Sequence, residues 1–574
     1  APAHSASEYD NTANLCKDEV FMKKSLCILL TLVLLAVTCA CKPPRINENV
    51  ADPNKTPLYI AIGDNGVGTE FLYDLEKAYE AYNPEVDVVI NQRDSELSNG
   101  LEYIKTATED IIYVNSEFTF TQYGNYVLDL TDMTASKAYD ENGAYVGMGN
   151  GTKSLQDKMM YYENGFNLVN QGTKDDPRFL GLPWFSAIYG LWYDMDLFDT
   201  ENLYDLPEYT GFDGVANTGD EYFGPDGKEG TYDDGLPATW EDMKALLQVM
   251  KEKGIVPFTF SGMHSWMRNF WLDVILMNYE GMSDYTLCYT FDGTDSDFGE
   301  INADNGYLLK QQEGKKATLM VAEKIAKDKL YSTPSLYTTQ THLQAQIDFL
   351  RSTTTDSPGA FLIDGSWWEY EANDEFERME NISKEFARGT RRFGYFPIPR
   401  FVGTEGLKDQ INTQQYINSI SNFMIAANAK TKVPDVVQDF LLFSHSEENL
   451  INFTKTTNLF CLYEYDMSND LDSLTPLAQS VYDLMRDENV VIYFSGKDAL
   501  TMNGYTATQA QNCLRAKNNT FFENWDFLTK VGNMNYMDAI RDMAFDEKNE
   551  LTAATWFEGL GEACSKSTWD KYFG

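Results

Sequence analysis

Residues Leu58–Ile90, LYIAIGDNGVGTEFLYDLEKAYEAYNPEVDVVI, alternate strand and helix patterns. The first five residues, Leu58-Tyr59-Ile60-Ala61-Ile62, are a short apolar run, the pattern of a buried strand. A glycine-punctuated loop, Gly63 to Gly68, follows. Leu72, Leu75 and Tyr79 then recur at helical spacing until Pro84 stops the helix. Val86, Val88 and Ile90 alternate and mark a second strand, and Asp110-Ile111-Ile112-Tyr113-Val114 reads as a third. Strands alternating with helices predict a parallel α/β sheet, and such sheets bind ligands beyond the carboxyl ends of their strands. The Gly63–Gly68 loop and Asn115-Ser116-Glu117 therefore lie at the edge of a candidate site. The loop matches neither a Walker nor a dinucleotide pattern and reads as a strand–helix turn.

A second unit of the same kind begins near residue 180. Leu182-Pro183-Trp184 leads into the apolar strand Gly190-Leu191-Trp192-Tyr193. Thr239 with Asp242 forms a capping box ahead of a helix marked by Met243, Leu246, Leu247 and Met250 and ended by Gly254. Ile255–Phe260 is the next strand, Ala360–Gly365 is a strand entering a turn, and Ile420–Ala426 is another. Residues 434–456 and most of 475–574 are helical in pattern, and 199–237 is an acidic, glycine-rich insertion.

The composition excludes several functions. A net charge of −43 repels phosphate backbones and anionic lipid, so no nucleic-acid partner is expected. The four histidines, His4, His264, His342 and His445, form no HExxH motif and no close pair in sequence, so no His-based metal site is expected. Neither catalytic residues nor a cofactor emerge from the motifs. Aromatic residues make up 14%, which suits sites that need an apolar face with a polar edge.

The amino-terminal region carries an export pattern. Met22 opens MKKSLCILLTLVLLAVTCAC, with Lys23 and Lys24 ahead of the apolar run Leu26–Val37. That run is too short for a membrane span but suits a secretory signal. Residues 1–21 then read as an upstream extension, 22–40 as a signal peptide and 41–55 as a polar tether. Val37-Thr38-Cys39-Ala40-Cys41 resembles a bacterial lipobox, which implies lipidation of Cys41 and anchoring on the outer face of the cell membrane. Downstream of Cys41, four cysteines, Cys288, Cys461, Cys513 and Cys564, leave any disulfide pairing open.

Seven stretches occur in an order that resembles the extracellular solute-binding proteins of carbohydrate ABC transporters, the maltose-binding-protein-like group. They are FLYDLEKAYEAYNPEVDVVI, EDIIYVN, GLPWFSAIYGLWYDMDLF, LPATWEDMKALLQVMKEKGIVPFTFSG, AFLIDGSWW, RFGYFPIPR and NFMIAANAKTKVPDVVQDFLLFSHSEENLINF. The resemblance implies two α/β lobes joined by hinge strands, about 56–172 plus 418–475 and about 178–400 plus 476–574. It also implies a carbohydrate ligand, ABC permease partners and a monomer. Sugars present C–H faces and hydroxyl rims, so a site for them needs aromatic plates with fixed polar partners. The candidates are Trp184, Trp266 in SGMHSW, Trp367 and Trp368 after the Asp364-Gly365 turn, Tyr536 in NMNYMDAI, and the polar Asp364 and Asn115 at strand ends. Trp367 and Trp368 are expected to alternate, one inward and one toward the cleft. A secreted glycoside-processing enzyme and a sugar sensor are the competing functions. The segment Gly224–Gly235, GPDGKEGTYDDG, reads as an acidic turn, with a calcium loop as its alternative.

Overall fold

Leu58–Ile90 forms two parallel strands and the helix between them. Strand β1 (Thr56–Ile62) pairs with β2 (Val86–Gln92), with Leu58 opposite Val88 and Ile60 opposite Ile90. Helix α1 (Glu70–Tyr82) lays Phe71, Leu72, Leu75 and Tyr79 onto this sheet. Strand β3 (Ile111–Asn115) joins parallel on the other side of β1. The computed structural model describes residues 51–115 except 65 and 99, 123–159, 176–290 except 269, 305–420, 423–494 and 538–567, with isolated positions elsewhere. The expected leader, Cys41 and Tyr536 lie outside the described residues.

Downstream come β4 (Leu182–Pro183), β5 (Phe185–Asp194), β6 (Val256–Thr259), β7 (Gly359–Gly365), β8 (Phe393–Phe396), β9 (Gln415–Ile420), β10 (Phe423–Ala427), β11 (Phe460–Cys461) and β12 (Val490–Phe494). The first sheet runs β2-β1-β3-β10-β4, and the second runs β12-β9-β5-β7-β6 with β8 and β11 also paired to β5. The first sheet is parallel only as far as β3. Strand β10 enters it antiparallel, with Met424 opposite Val114, because the chain arrives there from the second sheet.

The chain changes sheets at short, defined points. Trp184 alone separates β4 from β5. Its N–H donates to the Phe423 carbonyl at 3.0 Å, and its own carbonyl accepts from the Leu462 N–H. Each sheet has its own core: Leu58, Phe71, Trp184 and Phe440 lie in the first, and Phe258, Trp271 and Phe361 in the second. A further cluster around Trp368, Phe349 and Phe393 backs the second sheet.

The local signals are realised with two adjustments. The Thr239 hydroxyl accepts from the Asp242 N–H, and the Asp242 carboxylate accepts from the Thr239 N–H, each at 3.2 Å. This box opens helix α2 (Trp240–Glu252), which buries Met243, Leu246, Leu247 and Met250. The helical stretch at 434–456 is two helices, Pro434–Ser444 and Glu447–Thr457, divided at His445 and Ser446. The His445 carbonyl, freed at this break, accepts from the buried Lys158 amine at 2.8 Å. Cys461 is a buried free thiol rather than a disulfide partner.

The capping box is directly testable. Thr239→Ala removes the side-chain acceptor and should cost about 1 kcal/mol of stability. Chemical denaturation should show a lower midpoint with an unchanged slope, and an unchanged midpoint would contradict the role assigned to the cap.

Candidate functional site

Strand β5 and the turn after β7 build an aromatic wall where the two lobes meet. Antiparallel pairing sets Tyr189 opposite Gly365 and Gly190 opposite Asp364. Tyr189 stacks on Trp266 with ring centroids 4.1 Å apart and meets Trp367 edge-on at 5.8 Å. Trp266 and Trp367 lie 6.3 Å apart. All three rings are partly buried, and Trp367 also packs against Phe423 of the first lobe, 6.4 Å away. Gly365 permits this arrangement: a Cβ there would sit 1.9 Å from Trp367 Cζ3, so only glycine lets the indole fold back over the turn.

The glycine-rich loop after β1 faces this wall. Gly66 has φ +74°, and a Cβ on it would come within 3.0 Å of Trp367 Cδ1 and 3.1 Å of Glu371 Oε1. Beside it, Tyr370 Oη donates to Glu70 Oε2 at 2.7 Å, joining helix α1 to the second lobe. The loop that reads in sequence as a plain turn is therefore also a wall of the junction.

A polar cluster adjoins the rings. Helix α3 (His342–Ser352) presents His342 and Gln346 one turn apart on the same face. His342 Nε2 lies 3.3 Å from Glu371 Oε1, and His342 Nδ1 lies 3.0 Å from His264 Nε2. The Gln346 amide donates to Asp364 at 3.0 Å and to Glu371 at 2.7 Å. The hydrogen bond to Glu371 pushes the His342 pKa up, whereas burial and the neighbouring His342 push that of His264 down. Burial, followed by the repulsion of Glu371, pushes the Asp364 carboxyl up to about 7. The Asp64 carboxyl is also raised, chiefly by burial.

The sequence candidates thus divide. Trp266, Trp367 and Asp364 come together. Asp364 supports the cluster from below: it is 1% exposed, and its oxygens accept from Gln346 and from the Gly365 N–H. Trp368 is the inward member of its pair, 0% exposed against Phe376 and Phe393. Trp184 lies in the first lobe's core, 5.2 Å from Phe71 and 4.8 Å from Tyr113, and not at the aromatic wall. Asn115 ends β3 opposite Phe423, and its side chain lies outside the described residues, as does Tyr536.

Sequence reasoning missed Tyr189, Gln346, Glu371 and the pairing of His264 with His342. The histidines are 78 residues apart in sequence, and no spacing rule links them. The i, i+4 relation of His342 and Gln346 was the one local signal available.

No protein-family model matches the chain, and no curated protein matches it in sequence. Solved structures do match in fold. Apo RafE from Streptococcus pneumoniae is 12% identical, with a TM-score of 0.50 over 91% of this chain and 99% of that one. The bacterial solute receptor AcbH, described as exclusively preferring β-D-galactopyranose, is 12% identical, with a TM-score of 0.50 over 86% of this chain and 98% of that one. A probable secreted solute-binding lipoprotein from Streptomyces coelicolor is 12% identical, with a TM-score of 0.51 over 89% of this chain and 98% of that one. The fold is the two-lobe α/β fold of solute-binding proteins. Among the described residues no helix is long and apolar enough to cross a membrane.

Two outcomes test these placements. Trp184→Ala should lower stability by about 3–5 kcal/mol, as for other buried tryptophans, and a melting temperature near wild type would contradict its core position. Asp364 has a raised pKa, so its contribution to stability is full below pH ~4 and is lost as pH rises through about 7. Asp364→Asn should therefore gain on wild type between pH 5 and pH 8, by on the order of 1–2 kcal/mol. A difference in melting temperature that stays constant across that range would refute the assignment.

Proposed function

We propose that the protein captures a sugar or oligosaccharide between its lobes and delivers it to an ABC transporter permease. In this reading it works from the outer face of the cell membrane as a monomeric lipoprotein anchored through Cys41. The observation that carries it is the trio Tyr189, Trp266 and Trp367 at the junction of the lobes, beside His342 and Glu371. Aromatic faces match the C–H faces of a pyranose, and the Glu70, Glu371 and Asp64 carboxylates offer acceptors for its hydroxyls. Similarity of fold to solute receptors, one of them described with a galactopyranose preference, supports the same reading.

A glycosidase needs two carboxylates that reach the substrate, about 5–10 Å apart. Asp364 is 1% exposed with both oxygens engaged, which argues against its serving as one of them. Mass spectrometry after incubation with sugar should recover it intact, and cleaved product would defeat the binding-protein reading.

Trp367→Ala should weaken sugar binding about 5- to 30-fold in calorimetry, the equivalent of about 1–2 kcal/mol, with the melting temperature retained. Unchanged affinity for a sugar that wild type binds would remove Trp367 from the site. Saturation with that sugar should also reduce the radius of gyration in small-angle scattering as the lobes close. An identical curve would contradict closure.

A further inference from the structure

The insertion at 199–237 contains two buried carboxylates, and neither forms an ion pair among the described residues. Asp226 is 8% exposed and Asp233 is 0% exposed. They are adjacent: the Asp226 N–H donates to Asp233 Oδ2 at 3.0 Å. Asp226 Oδ1 accepts from the Lys228 N–H at 2.8 Å, and Asp233 Oδ1 accepts from the Thr231 hydroxyl at 2.8 Å. Asp226 Oδ2 faces the interior and has no hydrogen-bond partner among the described residues. The one basic side chain of the insertion, Lys228, reaches outward to pair with Glu488 at 3.1 Å. Asp487, beside Glu488, adds a third negative charge that acts on Asp226.

Two buried carboxylates close enough to repel each other, one with an unsatisfied inward oxygen, are strongly unfavourable unless a cation or a shared proton offsets them. Three left-handed glycines shape the loop around them: Gly224 (φ +69°), Gly227 (φ +69°) and Gly230 (φ +85°). A Cβ on Gly224 would lie 2.8 Å from Asp233 Oδ2, so the glycine keeps the approach to that oxygen open.

We propose that this loop holds a calcium-type divalent cation, with Asp226 Oδ2 and the Asp233 carboxylate as its protein carboxylate ligands. Among the described residues no three His, Cys, Asp or Glu side chains converge as a metal site. The remaining ligands are therefore carbonyl oxygens of the loop and water, which calcium accepts in a coordination number of six to eight. The spacing is not that of an EF-hand, where Lys228 would stand at a ligand position.

Tyr232 lies between the two ligands in sequence, its ring partly buried, and provides a sensitiser for terbium, a luminescent calcium substitute. Terbium added to the wild-type protein should give tyrosine-sensitised emission that calcium displaces. Calcium in excess of chelator should raise the melting temperature by about 2 °C or more. Asp226→Asn and Asp233→Asn should each abolish both responses. A wild-type protein with the same melting temperature in calcium and in chelator, and no sensitised emission, overturns the proposal. So does a response to calcium that both variants retain. Stabilisation by either Asn substitution, with no calcium response in wild type, assigns the pair to a shared proton instead.

Discussion

The architecture depends on the backbone of Trp184. Its N–H holds the Phe423 carbonyl at the start of β10, and its carbonyl takes the Leu462 N–H just after β11. Three passages of the chain between sheets are thereby tied at one residue. The side chain, packed against Phe71 and Tyr113, fixes that residue to the first lobe's core. Beyond it, β5 is central in the second sheet, pairing with β7, β8, β9 and β11. The link between the two sheets at this point is a few strand ends.

The same strand positions the site. Pairing of β5 with β7 places Tyr189 against Gly365, and the missing side chain at Gly365 lets Trp367 lie across the turn. The polar groups beside the rings are oriented from beneath. Gln346 holds Asp364 and Glu371 together, and Glu371 in turn holds His342. These side chains thus form one hydrogen-bonded network beside the rings. The acidic insertion lies elsewhere on the second lobe, where its buried carboxylates pose a separate electrostatic problem.

Much of the fold is legible in local patterns. The apolar run at Leu58–Ile62, the spacing of Leu72, Leu75 and Tyr79, and the Thr239–Asp242 box are governed by interactions within a few residues, so their sequence signals survive folding. The antiparallel entry of β10 and the division of the 434–456 helix at His445 are not legible in this way. The first depends on where a distant segment returns, and the second on a buried amine, that of Lys158, placed to take a freed carbonyl.

Composition and residue spacing establish an acidic α/β protein rich in aromatic residues, with strand–helix units and a tryptophan pair after a turn. Those properties are set by composition and by periods of two and 3.6 residues. Which aromatic rings serve which purpose follows from long-range packing. Trp184 and Trp368 entered cores, while Trp266 and Trp367 met Tyr189 at the junction. It also brought His264 to His342 and Asp226 to Asp233. Such choices rest on contacts between segments separated along the chain or folded back by glycines, and the side-chain identities alone contain no record of those distances.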